Sequence, residues 1–195
     1  MRERDRMLGG RPYNARDEEL IAAAHRARAL IAAFTATPST DAAQRRNILT
    51  QLLGEVGEDV WIEPPFFCDY GKNLYLGAHT FVNVNCVFLD SAEIRIGRSA
   101  MLGPGVQLLT AFHPLLARER VIAPDKRIEG RAPYVTQALP IRIGENVWIG
   151  GGAIVLPGVT IGDNVTIGAA SLVTSDIPAN SLAFGQPCRV QRSLV

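Results

Sequence analysis

A chain of 195 residues with 47% hydrophobic content can build one substantial core with a small appendage. A net charge of +1 implies no general attraction to nucleic acid or a membrane surface, and no apolar run approaches the ~18–20 residues that cross a bilayer. Cys68, Cys86 and Cys188 are few, odd in number and far apart. They are expected as reduced, unpaired thiols, and the charged opening MRERDRML lacks an apolar stretch, so a cytoplasmic protein is expected.

Residues 1–57 are expected to form a helical cap. Asp17 caps a helix over residues 17–36, with Glu18 and Glu19 in its first turn and Leu20, Ala24, Ala27, Leu30, Ile31 and Phe34 on one face. His25 within it is expected to have a surface or packing role. Pro38 breaks the helix, and Asp41, with Gln44 three residues on, caps a second one. Its apolar face is Ile48, Leu49, Leu52, Leu53 and Val56. Such a pair can cover the end of a repeat array, whose terminal unit otherwise exposes apolar surface and strand edges. Val60–Phe67, VWIEPPFF, is interrupted by prolines and reads as an edge or opening strand.

The strongest signal lies in Ile143–Pro178. Ile143, Ile149, Val155, Ile161, Ile167 and Val173 recur every six residues. Four positions after each stands a residue that is mostly small or β-branched: Val147, Ala153, Val159, Val165, Ser171 and Ile177. A six-residue period signals a parallel β-helix in which each hexad is one short strand and one corner. Gly144, Asn146, Gly162, Asn164 and Gly168 are expected to supply the positive φ of tight corners. An earlier, less regular block runs through Leu76, Val82, Phe88 and Ile94, shifts by two residues, and continues through Ile96, Leu102 and Leu108. The two blocks give roughly four coils, and residues 58–75 a fifth, for a column about 24 Å tall at ~4.8 Å per coil. The repeats thus span residues 58–178, interrupted by a loop at 111–140, and residues 179–195 form a C-terminal tail.

A loop of that length inside a compact array points to function. His113 stands at its start, on a strand end and beside polar corners that carry His79, Asn83, Asn85, Asp90 and Ser91. Rigid anchorage of this kind suits a group that moves a proton. Arg189 and Arg192 lie near the C-terminus, where a solvated tail and a phosphate-binding pair are both open readings.

The ordered set MLGGRPYN, WIEPPFFCDYG, FVNVNCVFLD, His113-Pro114, NVWIGGGAIVLPGVTIGDN and GQPCRVQR resembles the maltose and galactoside O-acetyltransferase family, which includes the nodulation-factor acetyltransferases of the hexapeptide-repeat class. The resemblance covers nearly the whole chain. It implies a left-handed parallel β-helix, a homotrimer with active sites between subunits, and transfer of acetyl from acetyl-CoA to a sugar hydroxyl without a metal. It further implies His113 as general base, in direct transfer without a Ser or Cys nucleophile. Asn83 falls on the active-site Asn near acetyl group and acceptor, while Asp69 and Ser91 fall on acceptor contacts. Gly151 and Ala169 fall where backbone meets the pantetheine arm. Thr174 and Ser175 follow the last coil, and Arg189 and Arg192 match an Arg pair near the CoA phosphates. Trp148 is placed to wall the pantetheine channel or to pack.

Three departures bear on the substrate. Ser175 replaces a Lys found in many relatives, Asn14 and Ala15 replace acidic residues of the opening motif, and the loop after His113 is longer than usual. Two other readings stay open. One is an acyltransferase of the same fold acting on an antibiotic, an amino sugar or a serine-like acceptor. The other is a non-transferase β-helix, either structural or a γ-type carbonic anhydrase. The anhydrase needs a three-His zinc site, and the chain has only His25, His79 and His113, the first of them on the helical cap.

Overall fold

Aliphatic side chains spaced six apart can share one core only if the chain turns a corner between them. The computed structural model, which describes residues 1–195, shows this coil built on a helical base. Three helices come first: α1 (Glu3–Leu8), α2 (Glu18–Ala36) and α3 (Ala42–Leu52). Asp17 accepts the Glu19 N–H at 3.1 Å and Asp41 accepts the Gln44 N–H at 3.0 Å, each satisfying a donor the helix start leaves open. α2 buries Leu20, Ala27 and Phe34. α3 stops at Leu52, so Val56 leaves the helical face expected for it and enters a strand. The competing attraction is the next coil: the Gly54 N–H donates to the Gly71 and Leu74 carbonyls, and a Cβ at Gly54 would lie 2.6 Å from the Lys72 oxygen.

The first coil is β1 (Glu55–Val56), β2 (Trp61–Ile62) and β3 (Phe67–Cys68). VWIEPPFF is therefore two strands bent at Pro64-Pro65 rather than one. The second coil is β4 (Leu74–Leu76), β5 (Phe81–Val82) and β6 (Val87–Leu89); the third is β7 (Ile94–Ile96), β8 (Met101–Leu102) and β9 (Gln107–Leu109). The insertion follows. It has β10 (Ala111–Phe112), α4 (Ala117–Arg120) and β11 (Gln137–Ala138), and β10 pairs antiparallel with β11. The fourth coil is β12 (Ile141–Ile143), β13 (Trp148–Ile149) and β14 (Ile154–Val155); the fifth is β15 (Thr160–Ile161), β16 (Thr166–Ile167) and β17 (Leu172–Val173).

Strands stack in three parallel sheets, β1-β4-β7-β12-β15, β2-β5-β8-β13-β16 and β3-β6-β9-β14-β17. Then β18 (Ser181–Gly185) adds a parallel rung on β16, and β19 (Cys188–Ser193) turns back antiparallel to it. The second sheet thus gains a rung beyond the five coils expected from the repeats. Leu76, Val82, Phe88, Ile94, Leu102, Leu108, Ile149, Val155, Ile167 and Val173 are each no more than 1% exposed, in one continuous core. Burying each contributes roughly 1.5–3 kcal/mol. Arg45, 5% exposed, joins the base to the column: its guanidinium lies 4.6 Å from the Phe34 ring centre and donates to the Ile62 carbonyl at 3.1 Å. No helix is long and apolar enough to cross a membrane.

The two-residue shift in the first block has a structural cause. Partners in adjacent early coils stand 20 residues apart, as in Ile62 with Val82, whereas late ones stand 18 apart, as in Ile149 with Ile167. The extra pair sits where the chain passes from the third sheet to the first. The other two corners are tight. Between the first and second sheets, Asp59, His79, Ser99, Asn146 and Asn164 all take positive φ, one per coil, and Asn180 repeats this above them. The Asn146 amide donates to Asn164 at 3.0 Å and the Asn164 amide to Asn180 at 2.9 Å. Gly144, Gly162 and Gly168 are not among the positive-φ residues. They correct the expectation in a different way, since a Cβ on Gly162 would lie 2.5 Å from the Ala179 nitrogen: the coil above leaves no room.

Candidate active site

The wide corner is polar. Asp90 is fully buried and acts as its brace: its carboxylate accepts the Tyr70 N–H at 2.8 Å and the Asn73 N–H at 3.3 Å, while its carbonyl accepts the Asn73 side-chain amide at 2.7 Å. Burial pushes the Asp90 carboxyl up to about 6. Asp69, one coil below, is also pushed up to about 6, by burial first, with the Arg28 charge opposing the rise. A carboxyl raised by folding favours the fold only while protonated. That contribution is full below about pH 4, where the unfolded chain is protonated too. It is lost as the pH rises through about 6. Asp69→Asn is therefore expected to gain on the order of 2 kcal/mol of unfolding free energy near pH 7.5 and almost none below about pH 4. Urea titrations across that window check it; a gain that does not depend on pH would refute the assignment.

Above Asp69 and Asp90 the third coil gives way to the insertion, and His113 follows β10 directly. Its Nδ1 lies 2.7 Å from the Val135 carbonyl oxygen. A carbonyl only accepts, so Nδ1 carries the proton and the neutral ring keeps its free lone pair on Nε2. The ring is exposed and meets Tyr134 edge to face at a centroid distance of 5.4 Å. The far end of the insertion is tied to the chain's start. Tyr13 N–H donates to the Thr136 carbonyl at 3.1 Å, Asn14 accepts the Ala132 N–H at 3.0 Å, and Arg131 pairs with Glu3 at 2.8 Å. Asn14, which departs from the family's acidic residue, thus holds the loop.

His113, Asp69 and Ser91 line one open cavity of about 520 Å³, together with Tyr13, Tyr70, Tyr134 and Thr136. Burial raises the Tyr13 and Tyr70 phenols above their ordinary values, so both remain donors at neutral pH. The Thr136 hydroxyl is buried and finds no hydrogen-bond partner in the chain. Sequence reasoning missed one wall: Leu20, Ile21, Ala24, His25 and Arg28 of α2 also face this cavity. Their three- and four-residue spacing was the available signal. His25, expected in a surface or packing role, lies here.

The other singled-out residues lie elsewhere on the column. Asn83 follows β5, Gly151 follows β13 and Ala169 follows β16, all on the edge between the second and third sheets. The Gly151 and Ala169 N–H groups donate to nothing within the chain, which leaves two amides free on that edge. Asn83 accepts the Val84 N–H at 2.8 Å with its carbonyl oxygen, and its amide donors remain free. Trp148 is 51% exposed on the outer face of the second sheet, above Met101 at 50%. Arg189 pairs with Phe184 and Arg192 with Leu182. Phe184 and Leu182 are two apart and share a face, so the irregularity in β19 brings both arginines to that same outer side. Thr174 and Ser175 follow β17 and fall on the edge that carries His113, not the one with the free amides. The three cysteines are free and buried. No group of three or more His, Cys, Asp and Glu side chains is placed to hold a metal ion.

The maltose acetyltransferase hexapeptide capping motif matches residues 6–57, and the bacterial transferase hexapeptide, as six repeats, matches residues 140–175. Nodulation protein L of Rhizobium meliloti is 44% identical over 189 residues, 97% of each chain. A maltose O-acetyltransferase from Clostridium difficile superposes with a TM-score of 0.90 at 43% identity, over 100% of this chain and 98% of that one. A galactoside acetyltransferase in complex with coenzyme A superposes at 0.86 with 33% identity, over 100% of this chain and 92% of that one. With a parallel β-helix, its helical cap and nearly full-length identity of this order, the chain belongs to the maltose and galactoside O-acetyltransferase family of hexapeptide-repeat acetyltransferases.

Proposed function

We propose that the protein transfers acetyl from acetyl-CoA to a sugar hydroxyl, with His113 as general base. The observation that carries this reading is the Nδ1–Val135 contact of 2.7 Å, which in the neutral ring puts the lone pair on Nε2, on a side chain that lines the cavity. An alcohol is a poor nucleophile near neutral pH. As the acceptor oxygen attacks the acetyl carbon, Nε2 takes the hydroxyl proton; the carbon–sulfur bond then breaks, and that proton passes to the departing thiolate. Transfer is direct. The three thiols lie buried within the column, and burial raises each above its ordinary value, Cys68 and Cys86 the most, which keeps them protonated and unreactive.

Asp69 and Ser91 hold the acceptor beside His113, and Asn83 serves acetyl group and acceptor from the second edge. The free Gly151 and Ala169 amides suit the pantetheine carbonyls, Trp148 walls the channel, and Arg189 and Arg192 suit the phosphates. Thr174 and Ser175 contribute to the carrier site from the His113 edge. The relative solved with coenzyme A supports the carrier, and the relatives that act on maltose and galactoside support a sugar acceptor. Because the two residue sets lie on different edges of one chain, a complete site joins the His113 edge of one subunit to the amide edge of another. We propose that a homotrimer, one copy for each face of the three-sided column, forms three such clefts. We place the enzyme in the cytoplasm, where unpaired thiols persist. We also propose a left-handed coil, with a cap at 1–57, a β-helix at 58–178 and a tail at 179–195, although β1 at the end of the first and β18 at the start of the last extend the stack at either end.

Arg189→Ala is expected to raise the KM for acetyl-CoA about tenfold or more and to leave the acceptor KM nearly constant. Thiol release from acetyl-CoA, measured with each substrate varied in turn, checks this. Equal rises in both KM values would count against phosphate contact, and no thiol release with any hydroxylated acceptor would count against the transferase itself.

A further inference from the structure

The cavity around His113 has one wall that the proposed transfer does not use. Helix α2 turns Ile21, Ala24, His25 and Arg28 towards it, and Ala15 stands beside them. Alanine at 15 and 24 offers only methyl groups, so the polar capacity of this wall rests in one imidazole and one guanidinium. Arg28 is exposed and forms no hydrogen bond or ion pair, although its charge reaches Asp69: the chain's Arg–carboxylate pairs are Arg2–Asp5, Arg6–Glu3, Arg95–Glu93 and Arg131–Glu3. Asp69 is the sole acidic residue lining the cavity; burial pushes its carboxyl up to about 6, and the Arg28 charge acts against that rise. The carboxylate of Asp90 is spent on the Tyr70 and Asn73 amides. One carboxyl thus shares this cavity with the wall's guanidinium and imidazole, and neither a hydrogen bond nor an ion pair ties Arg28 to Asp69. The Thr136 hydroxyl, 6% exposed and without a partner, adds a second unanswered polar group to the same lining.

We propose that the acceptor is an anionic sugar, whose carboxylate or phosphate oxygens seat on Arg28 with His25 at their side while a ring hydroxyl meets His113. This rests on the reading of the cavity as the acceptor site. A guanidinium presents a planar fork of donors that fits either oxyanion, and each such bond is charge-assisted. Ala15 and Ala24 leave room for the charged substituent where longer side chains would fill the wall. The neutral maltose and galactoside of the relatives need no such partner.

The test uses the full-length enzyme with saturating acetyl-CoA, and compares galactose, galacturonate and galactose 6-phosphate by thiol release. One charged sugar is expected to exceed galactose in kcat/KM by at least about tenfold, which also tells carboxylate from phosphate. Arg28→Gln is expected to bring that ratio to within about threefold of unity, and Arg28→Lys to restore part of it. A wild-type preference for galactose would overturn the proposal, as would a ratio that survives Arg28→Gln. So would a rise in the KM for acetyl-CoA alone, since the guanidinium would then serve the phosphates of the carrier. If none of the three sugars turns over, NMR titration of the two charged ones decides. Saturable binding lost in Arg28→Gln supports the proposal, and no binding to the wild type overturns it. Loss of coenzyme A binding by the wild type would instead sink the underlying transferase reading.

Discussion

His113→Ala is expected to lower turnover by at least ~10²-fold while coenzyme A affinity and the folded column change little. The size of the effect follows from the tautomer. Nδ1 is committed to the Val135 carbonyl, so Nε2 is the one imidazole atom able to accept the hydroxyl proton. The small cost in stability follows from placement. The ring is exposed, outside the core, and held by one hydrogen bond and one edge-to-face contact with Tyr134. Steady-state turnover at saturating acetyl-CoA, calorimetric titration with coenzyme A and a thermal melt separate these quantities. A variant that retains turnover within about threefold would remove His113 from proton transfer.

Phe88→Ala is expected to cost about 3–5 kcal/mol, and to lower Tm by roughly 10 °C or more for a chain of this length. Phe88 is 0% exposed in β6, stacked between Cys68 below and Leu108 above, so its removal opens a void that neighbouring rungs cannot close. Because each coil is held mainly by the coils next to it, a void at this level loosens the contacts that carry the cap and those that carry the insertion. Phe184, 45% exposed, is the control: its truncation is expected to cost about 1 kcal/mol or less. Melts at one protein concentration decide, since association would otherwise shift Tm. Equal losses from the two truncations would show that the core does not set stability.

The column was legible because its aliphatic period is itself the packing rule: each Ile or Val in the run from Ile143 to Val173 meets its counterpart one coil away. The first block was harder to read because Asp69–Asn73 and Asp90–Glu93 lengthen one corner, and a fixed six-residue template misreads the added pair as a slip. The corner glycines were found in the right places for the wrong reason. Backbone crowding between coils leaves no trace in a single sequence, whereas a preference for positive φ is a property of the residue type. His113, Asp69 and Ser91 could be singled out in advance because each belongs to a local motif, and the fold brings them into one cavity. Arg28 and His25 could not. Helical spacing shows that they share a side of α2, but only tertiary packing shows what that side meets. The Tyr13–Thr136 pairing was equally hidden, since it joins the chain's start to the far end of the insertion through backbone atoms alone.

Two edges of the prism are fixed in length by left-handed residues and by amides bonded rung to rung, as along Asn146, Asn164 and Asn180. The third already accommodates two extra residues in the early coils and a whole excursion after the third. Insertions and deletions among homologues should therefore cluster on that single seam, at 69–73, 90–93 and 111–140. Substrate range can then drift along one margin of the molecule without loosening the stack that holds it upright.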